Sequence, residues 1–208
     1  MDWFNNQEQQ TVQKKEVTPD TDWSKFGIAD DPANQLGGLK VGDLAPDFTA
    51  KDQNGHPISL TEKLKSGPVV LVFYRGYWCG YCNQQLEELE NELTHLKTKG
   101  VNVIAISPES KEYAKQMIEK TKTSIAVISD TDKSVMQNYK VAFQVTDAYQ
   151  NKVKQYVKKD LNEMSGYSQA TLPVPATYVI NTDQKITYSF YNPDYSKRAS
   201  IKDILKVL

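Results

Sequence analysis

The chain has 208 residues, 39% hydrophobic and 25% charged, with 25 basic against 26 acidic side chains. That balance fits one domain with its own core and excludes a chain kept unfolded by charge. A net charge of −1, with no basic block longer than Lys158-Lys159, excludes the electrostatic footprint of a nucleic-acid binder. No apolar run approaches the roughly 18 residues a membrane span requires. The opening MDWFNNQEQQTVQKKEV lacks the basic-then-apolar order of a secretory leader. The expectation is a soluble, cytoplasmic protein with no membrane or nucleic-acid partner.

Residues 1–40 are polar and show no sustained apolar period, so they read as an arm preceding a domain over 41–208. The arm's Trp3, Phe4, Trp23 and Phe26 are suited to dock on the body or on a second copy in a homodimer. From residue 41 the pattern sharpens. Residues 47–50 and 56–60 read as a hairpin turning at Asn54-Gly55, and Thr61 as the cap of a short helix ending at Gly67. Residues 68–74, PVVLVFY, are a run of β-branched and aromatic side chains, the mark of a strand buried on both faces. A helix over 79–99 follows, with Leu86, Leu89, Leu93 and Leu96 on one stripe and Gly100 to end it. Then come a strand over 101–107, a helix over 110–122, a strand over 124–129 and a short helix over 132–139. Residues 144–172 break the rhythm as a polar insertion, helical around 147–159. Strands over 176–181 and 185–191, joined by a short turn and so antiparallel, lead to a final helix from 200. The alternation is that of an α/β fold with a mainly parallel sheet and right-handed crossovers.

The chain has only two cysteines, Cys79 and Cys82, in the order Cys-Gly-Tyr-Cys, where a buried strand hands over to a helix. Free N–H groups and the positive end of the helix dipole stabilise a thiolate there. A bridge closing four residues removes little chain entropy, so redox cycling is a better reason for the pair than stapling. Zinc would need two more ligands, and the only histidines are His56 and His95. His95 lies 13 residues along the same predicted helix, about 20 Å away. Arginine is rare here, two of 25 basic residues, and Arg75 stands four before Cys79. Folded back over the pair, it would add positive charge, with Trp78 shielding one side.

These residues also carry a resemblance. Tyr77-Trp78-Cys79-Gly80-Tyr81-Cys82 after a buried strand resembles the active site of thioredoxin-fold proteins. With VGDLAPDF at 41–48, VLVFYRGYWCGYC at 70–82, LPVPATYVI at 172–180 and the ending NPDYSKRA at 192–199, the chain resembles the peroxiredoxin-like branch of the alkyl hydroperoxide reductase and thiol-specific antioxidant (AhpC/TSA) family. The resemblance implies a thioredoxin-like fold, with a central mixed, mainly parallel sheet flanked by helices, an N-terminal hairpin extension and a helical insertion before the strand that follows a cis proline. It places that cis proline at Pro175, where the bond would present the Val174 backbone to an incoming disulfide. It also implies an enzyme that reduces hydroperoxides at the expense of thioredoxin or a similar dithiol, without a metal or cofactor.

The chain departs from its relatives at several positions. Peroxiredoxins carry Pro-x-x-x-Thr-x-x-Cys, and placing Cys82 at that cysteine puts Arg75 at the proline and Cys79 at the threonine; a further peroxiredoxin arginine falls at Pro175. A thioredoxin's buried carboxylate falls at Phe73. Two alternatives therefore stand beside the peroxidase: a thiol–disulfide oxidoreductase acting on protein disulfides, and a non-enzymatic redox-sensing module. The candidate catalytic residues are Cys79, Cys82 and Arg75, and the candidate substrate contacts are Trp78, Val174 and Pro175. Helix geometry favours Cys79 for attack on disulfides, the peroxiredoxin alignment selects Cys82, and the cysteine that attacks peroxide is left open between them.

Overall fold

The computed structural model describes residues 23–29 and 36–208, so the expectations for Trp3 and Phe4 lie outside it. The hairpin forms from β1 (Thr49–Lys51) and β2 (Pro57–Ser59). Its connection is wider than the two-residue turn expected at Asn54-Gly55. The Asp52 carboxylate accepts the N–H groups of Asn54 and His56, each at 2.8 Å, and holds a longer loop in which Gly55 has φ +89°. Helix α1 (Leu60–Leu64) is capped by Ser59, whose Oγ accepts the Glu62 N–H at 3.3 Å, and not by Thr61, whose own N–H is taken by Asp47.

Strand β3 (Val69–Phe73) is buried at every position. Alternate residues face opposite layers. Val69, Leu71 and Phe73 pack with Leu60 and Leu64 of α1, while Val70 and Val72 pack with Leu86, Leu89, Leu93 and Leu96. Those four leucines keep the expected stripe, but on two helices, α2 (Gly80–Asn91) and α3 (Leu93–Thr98). The break at Glu92 follows a stretch crowded with carboxylates, in which Glu88 and Glu92 are like charges four residues apart. Strand β4 (Asn102–Ser107), α4 (Lys111–Thr121), β5 (Ala126–Ser129) and α5 (Ser134–Asn138) complete the parallel half.

The insertion is bounded by a short antiparallel pair, β6 (Ala142–Gln144) and β7 (Thr171–Pro173), and carries α6 (Asp147–Val157) and α7 (Leu161–Ser165). It has its own apolar cluster of Val153, Leu161 and Met164 with Phe143 and Leu172, against which Trp23 and Phe26 pack. Strands β8 (Ala176–Ile180) and β9 (Ile186–Tyr191) then return antiparallel, and α8 (Ile201–Lys206) closes the described chain. The central sheet runs β5-β4-β3-β8-β9, with β3, β4 and β5 parallel. β3 is its middle strand, anchored by bonding on both edges and burial on both faces, so the chain leaving its C-terminal end starts from the most fixed point of the molecule.

Candidate functional site

Beyond β3, the Tyr74 N–H still pairs with Ile106, and the chain then turns out of the sheet through Arg75 and Gly76. Gly76 has φ +155°, and a Cβ there would lie 2.5 Å from both Glu109 Oε1 and Trp78 Nε1, so only glycine fits. Tyr77 is pinned on both sides: its N–H donates to Glu109 Oε2 at 2.9 Å, and its carbonyl accepts from Asn83 Nδ2 at 3.1 Å. Cys79 is the N-cap residue of α2, with extended backbone, and its carbonyl takes the N–H groups of Cys82 and Asn83. The handover from strand to helix is thus where the spacing places it.

Both cysteines are free thiols and both are buried, Cys79 5% exposed and Cys82 not at all. Cys79 opens on a cleft of about 180 Å³ that it lines with Arg75, Trp78, Tyr81, Tyr149 and Tyr195. Arg198 reaches the pair directly, its Nη2 donating to Cys82 Sγ at 3.2 Å and lying 3.8 Å from Cys79 Sγ. The backbone N–H of Arg75 donates to Cys82 Sγ at 3.5 Å. Burial opposes charge on Cys82, but the bond from the Cys79 thiol and the charges of Arg198 and Arg75 outweigh it and hold Cys82 well below the ordinary thiol range. The same bond, followed by burial, pushes Cys79 far above it. The two sulfurs behave as one unit that holds a single proton on Cys79 and the charge on Cys82.

Arg75 adds its charge at the pair as the sequence suggested, though its side chain binds rings and not sulfur. Its guanidinium stands among three rings, 4.2 Å from that of Tyr195, 4.9 Å from Trp78 and 5.1 Å from Tyr149, and it donates to the Tyr149 hydroxyl. Cation–π attraction to three aromatic faces holds the guanidinium in the cleft wall. The insertion supplies Tyr149 and so forms one wall of the cleft.

The expectation for Pro175 fails. No peptide bond among the described residues is cis. The Val174 N–H is occupied by the Val141 carbonyl at 2.8 Å, and the Pro175 carbonyl accepts from Asn192 at 3.2 Å, so the chain runs extended from β7 into β8. Val174 is buried beside Phe143 and Leu172, and neither it nor Pro175 lines the cleft. Arg198 and Glu109 were not picked out from sequence as site residues. For Arg198 the available signal was the scarcity of arginine and its place in the ending NPDYSKRA. Among the described residues no group of three or more His, Cys, Asp or Glu side chains is placed to hold a metal ion, and no helix is long and apolar enough to cross a membrane.

The model of the AhpC/TSA family matches residues 41–189. The chain belongs to the AhpC/TSA family. It is 33% identical over 105 residues to the thiol-disulfide oxidoreductase ResA of Bacillus subtilis, covering 50% of this chain and 58% of that protein. To the chloroplastic peroxiredoxin Q of Sedum lineare it is 28% identical over 167 residues, covering 80% and 76%. To peroxiredoxin Bcp of Escherichia coli it is 32% identical over 103 residues, covering 50% and 65%. The matches to ResA and Bcp thus span less than two thirds of either protein. Among solved structures, peroxidoxin BcpB of Mycobacterium tuberculosis superposes with a TM-score of 0.59 at 22% identity, covering 74% of this chain and 86% of that one. The thioredoxin domain of the oxidoreductase BVU-2223 of Bacteroides vulgatus does so with a TM-score of 0.54 at 18% identity, covering 81% and 97%. These likenesses establish the thioredoxin-like fold of the AhpC/TSA family.

Proposed function

We propose that this AhpC/TSA protein reduces hydroperoxides through the Cys79–Cys82 pair and is returned to the dithiol by thioredoxin or a similar external dithiol. The observation that carries this reading is the setting of Cys82 Sγ, to which the Arg198 guanidinium and the Arg75 N–H both donate, an arrangement that favours charge on that sulfur. The Cys82 thiolate attacks the terminal oxygen of the hydroperoxide, the O–O bond breaks, and the departing alkoxide takes a proton from solvent to leave as alcohol. Guanidinium groups beside the sulfur stabilise the developing oxyanion. The sulfenic acid on Cys82 condenses with the Cys79 thiol, water leaves, and an intramolecular disulfide forms. The external dithiol attacks Cys79, the sulfur nearer the surface, and carries the oxidising equivalents away through a mixed disulfide.

Burial supports peroxide over protein disulfide as oxidant, because a path to Cys82 leads past Cys79 through a narrow cleft that admits the small end of a hydroperoxide more readily than a folded protein. The thiol–disulfide oxidoreductase reading is kept because Cys79 faces that cleft and because ResA is among the relatives. All the groups of the cycle come from one chain, so the cycle is proposed for the protomer whether or not two copies pair, which sedimentation reads. A reducing compartment such as the cytoplasm suits a pair that must be returned to thiols. Stopped-flow tryptophan fluorescence of the reduced protein against hydrogen peroxide, an organic hydroperoxide and an oxidised thioredoxin-like protein tests the assignment. Faster reaction with a hydroperoxide is expected. A peroxide rate no greater than that of the Cys79→Ser, Cys82→Ser double variant would end the peroxidase reading.

A further inference from the structure

One buried titratable group stands outside this cycle. Glu109 follows β4 where the chain crosses to α4, and it is 1% exposed. Its Oε2 accepts the Tyr77 N–H at 2.9 Å, while Oε1 is buried with no hydrogen-bond partner. The carboxyl faces the loop that carries the sulfurs: the Cβ position of Gly76 lies 2.5 Å from Oε1 and 2.5 Å from Trp78 Nε1, itself buried and unpartnered. Across that same short stretch of backbone, the Arg75 N–H donates to Cys82 Sγ at 3.5 Å and the Gly76 carbonyl takes the Cys79 N–H at 3.0 Å.

Other groups around the carboxyl leave it without a cation in contact. Just after β3 comes the buried Tyr74, and from β4 the Ser107 hydroxyl, which accepts the Glu109 N–H at 3.3 Å. From α4, Tyr113 stacks on Tyr77 at 5.5 Å and Lys120 reaches only the Tyr77 carbonyl at 3.4 Å; Lys159 of the insertion lies over Tyr113. Only Cys82, on α2, has a charge that depends on redox state. Burial first, and the Cys82 charge after it, push Glu109 well above the usual carboxyl range against the Tyr77 bond.

We propose that Cys82 and Glu109 exchange one negative charge as the pair cycles: reduced protein holds it on sulfur with Glu109 a neutral acid, and bridged protein holds it on the Glu109 carboxylate. Arg75, buried, and Arg198, half-buried, flank the sulfurs, and no carboxylate is ion-paired with either among the described residues. Once the thiolate is consumed, the neighbouring negative charge that opposes ionisation of Glu109 is gone. Forming the Sγ–Sγ bond passes two electrons to the oxidant and releases two protons, one from Cys79 and one from Glu109; without Glu109 it releases one. Glu109 touches no substrate and is a positioning residue acting through Cys82.

This inference rests on the pair cycling between dithiol and disulfide, and not on which oxidant drives it. The full chain is equilibrated in thiol–disulfide buffers across pH, and the bridged fraction is read above the pH at which thiolate absorbance reports Cys82 ionised. Each proton released per electron pair is a tenfold change in the bridging equilibrium per pH unit, about 30 mV. The buffer disulfide takes up two protons on reduction, so the expected result is an interval in which the bridging equilibrium stays level with pH in the wild type and falls tenfold per pH unit in Glu109→Gln. Equal slopes overturn the proposal. Infrared difference spectra of the wild type, which do not depend on the variant folding, should lose a protonated carboxyl stretch on bridging; its persistence overturns the proposal equally. A pair that no buffer can bridge overturns the redox reading itself, whereas a bridged pair with a one-proton slope overturns only the role of Glu109.

Discussion

At the scale of single residues, Arg198 is the cation on which the thiolate chiefly depends. It approaches Cys82 across 116 positions of sequence, a contact that exists only because β9 returns beside β8 and delivers residues 192–199 to the end of β3. Local spacing could reveal Cys79, Cys82 and Arg75, which share one turn of chain, but not a partner supplied by topology. Glu109 was hidden for the same reason: the buried carboxyl comes from the end of β4, not from the β3 position where thioredoxins carry theirs. Replacing Arg198 by methionine removes a bond to a charged group, worth roughly 1.5–3 kcal/mol. Thiolate formation should then move up by about one to two pH units, seen by ultraviolet titration of the reduced protein. The wild-type peroxide rate should be flat near neutrality and fall only as pH drops through the lowered Cys82 pKa; in Arg198→Met the falling limb moves toward neutral pH. Arg75→Met should shift it less, since the backbone N–H that touches Cys82 survives.

At the scale of elements, the long buried strands were legible because their chemistry is redundant: five consecutive apolar residues in β3 permit little else. Elements defined by pairing alone were not. β6 and β7 are three residues each and are defined by their mutual register, and the cis bond that the resemblance placed at Pro175, just after β7, is not there. The same contrast separates the leucine stripe, which survives the break at Glu92, from the single long helix it suggested. The loop between β3 and α2 is the element most sensitive to a small change. In Gly76→Ala the new Cβ meets Glu109 and Trp78 at 2.5 Å in a backbone region that side chains avoid. A cost of roughly 1–3 kcal/mol is expected, read as a lower urea midpoint. Near-ultraviolet dichroism should report a displaced Trp78, and the peroxide rate should fall because Tyr77 and the α2 N-terminus move with the loop. An unchanged rate with the lower midpoint would separate the loop's structural role from its catalytic one.

At the scale of the whole molecule, the thiolate joins the middle of the sheet to the last segment of the chain through Arg198, so oxidation should be felt as a change in global stability. A group whose folded pKa lies below its unfolded one stabilises the fold above the unfolded value and loses that contribution as pH falls through the folded value. Cys82 is such a group. The reduced protein therefore gains stability around neutral pH that the bridged form lacks, a gain the raised Cys79 pKa offsets only above the ordinary thiol range, and a four-residue disulfide loop returns little through chain entropy. Reduced protein should melt above bridged protein at pH 8, with the gap closing as the pH is lowered toward the Cys82 pKa, in scanning calorimetry of the two forms. By the cycle that links folding to redox state, a pair whose reduced form is stabilised oxidises other thiols readily, so its potential should lie above the about −270 mV of thioredoxin. Hydrogen exchange in residues 192–199 should quicken on bridging, because Arg198 loses the anion it faces. Equal melting temperatures at pH 8, together with unchanged exchange in that segment, would mean that the Arg198–sulfur contact contributes nothing to holding the C-terminal segment in place.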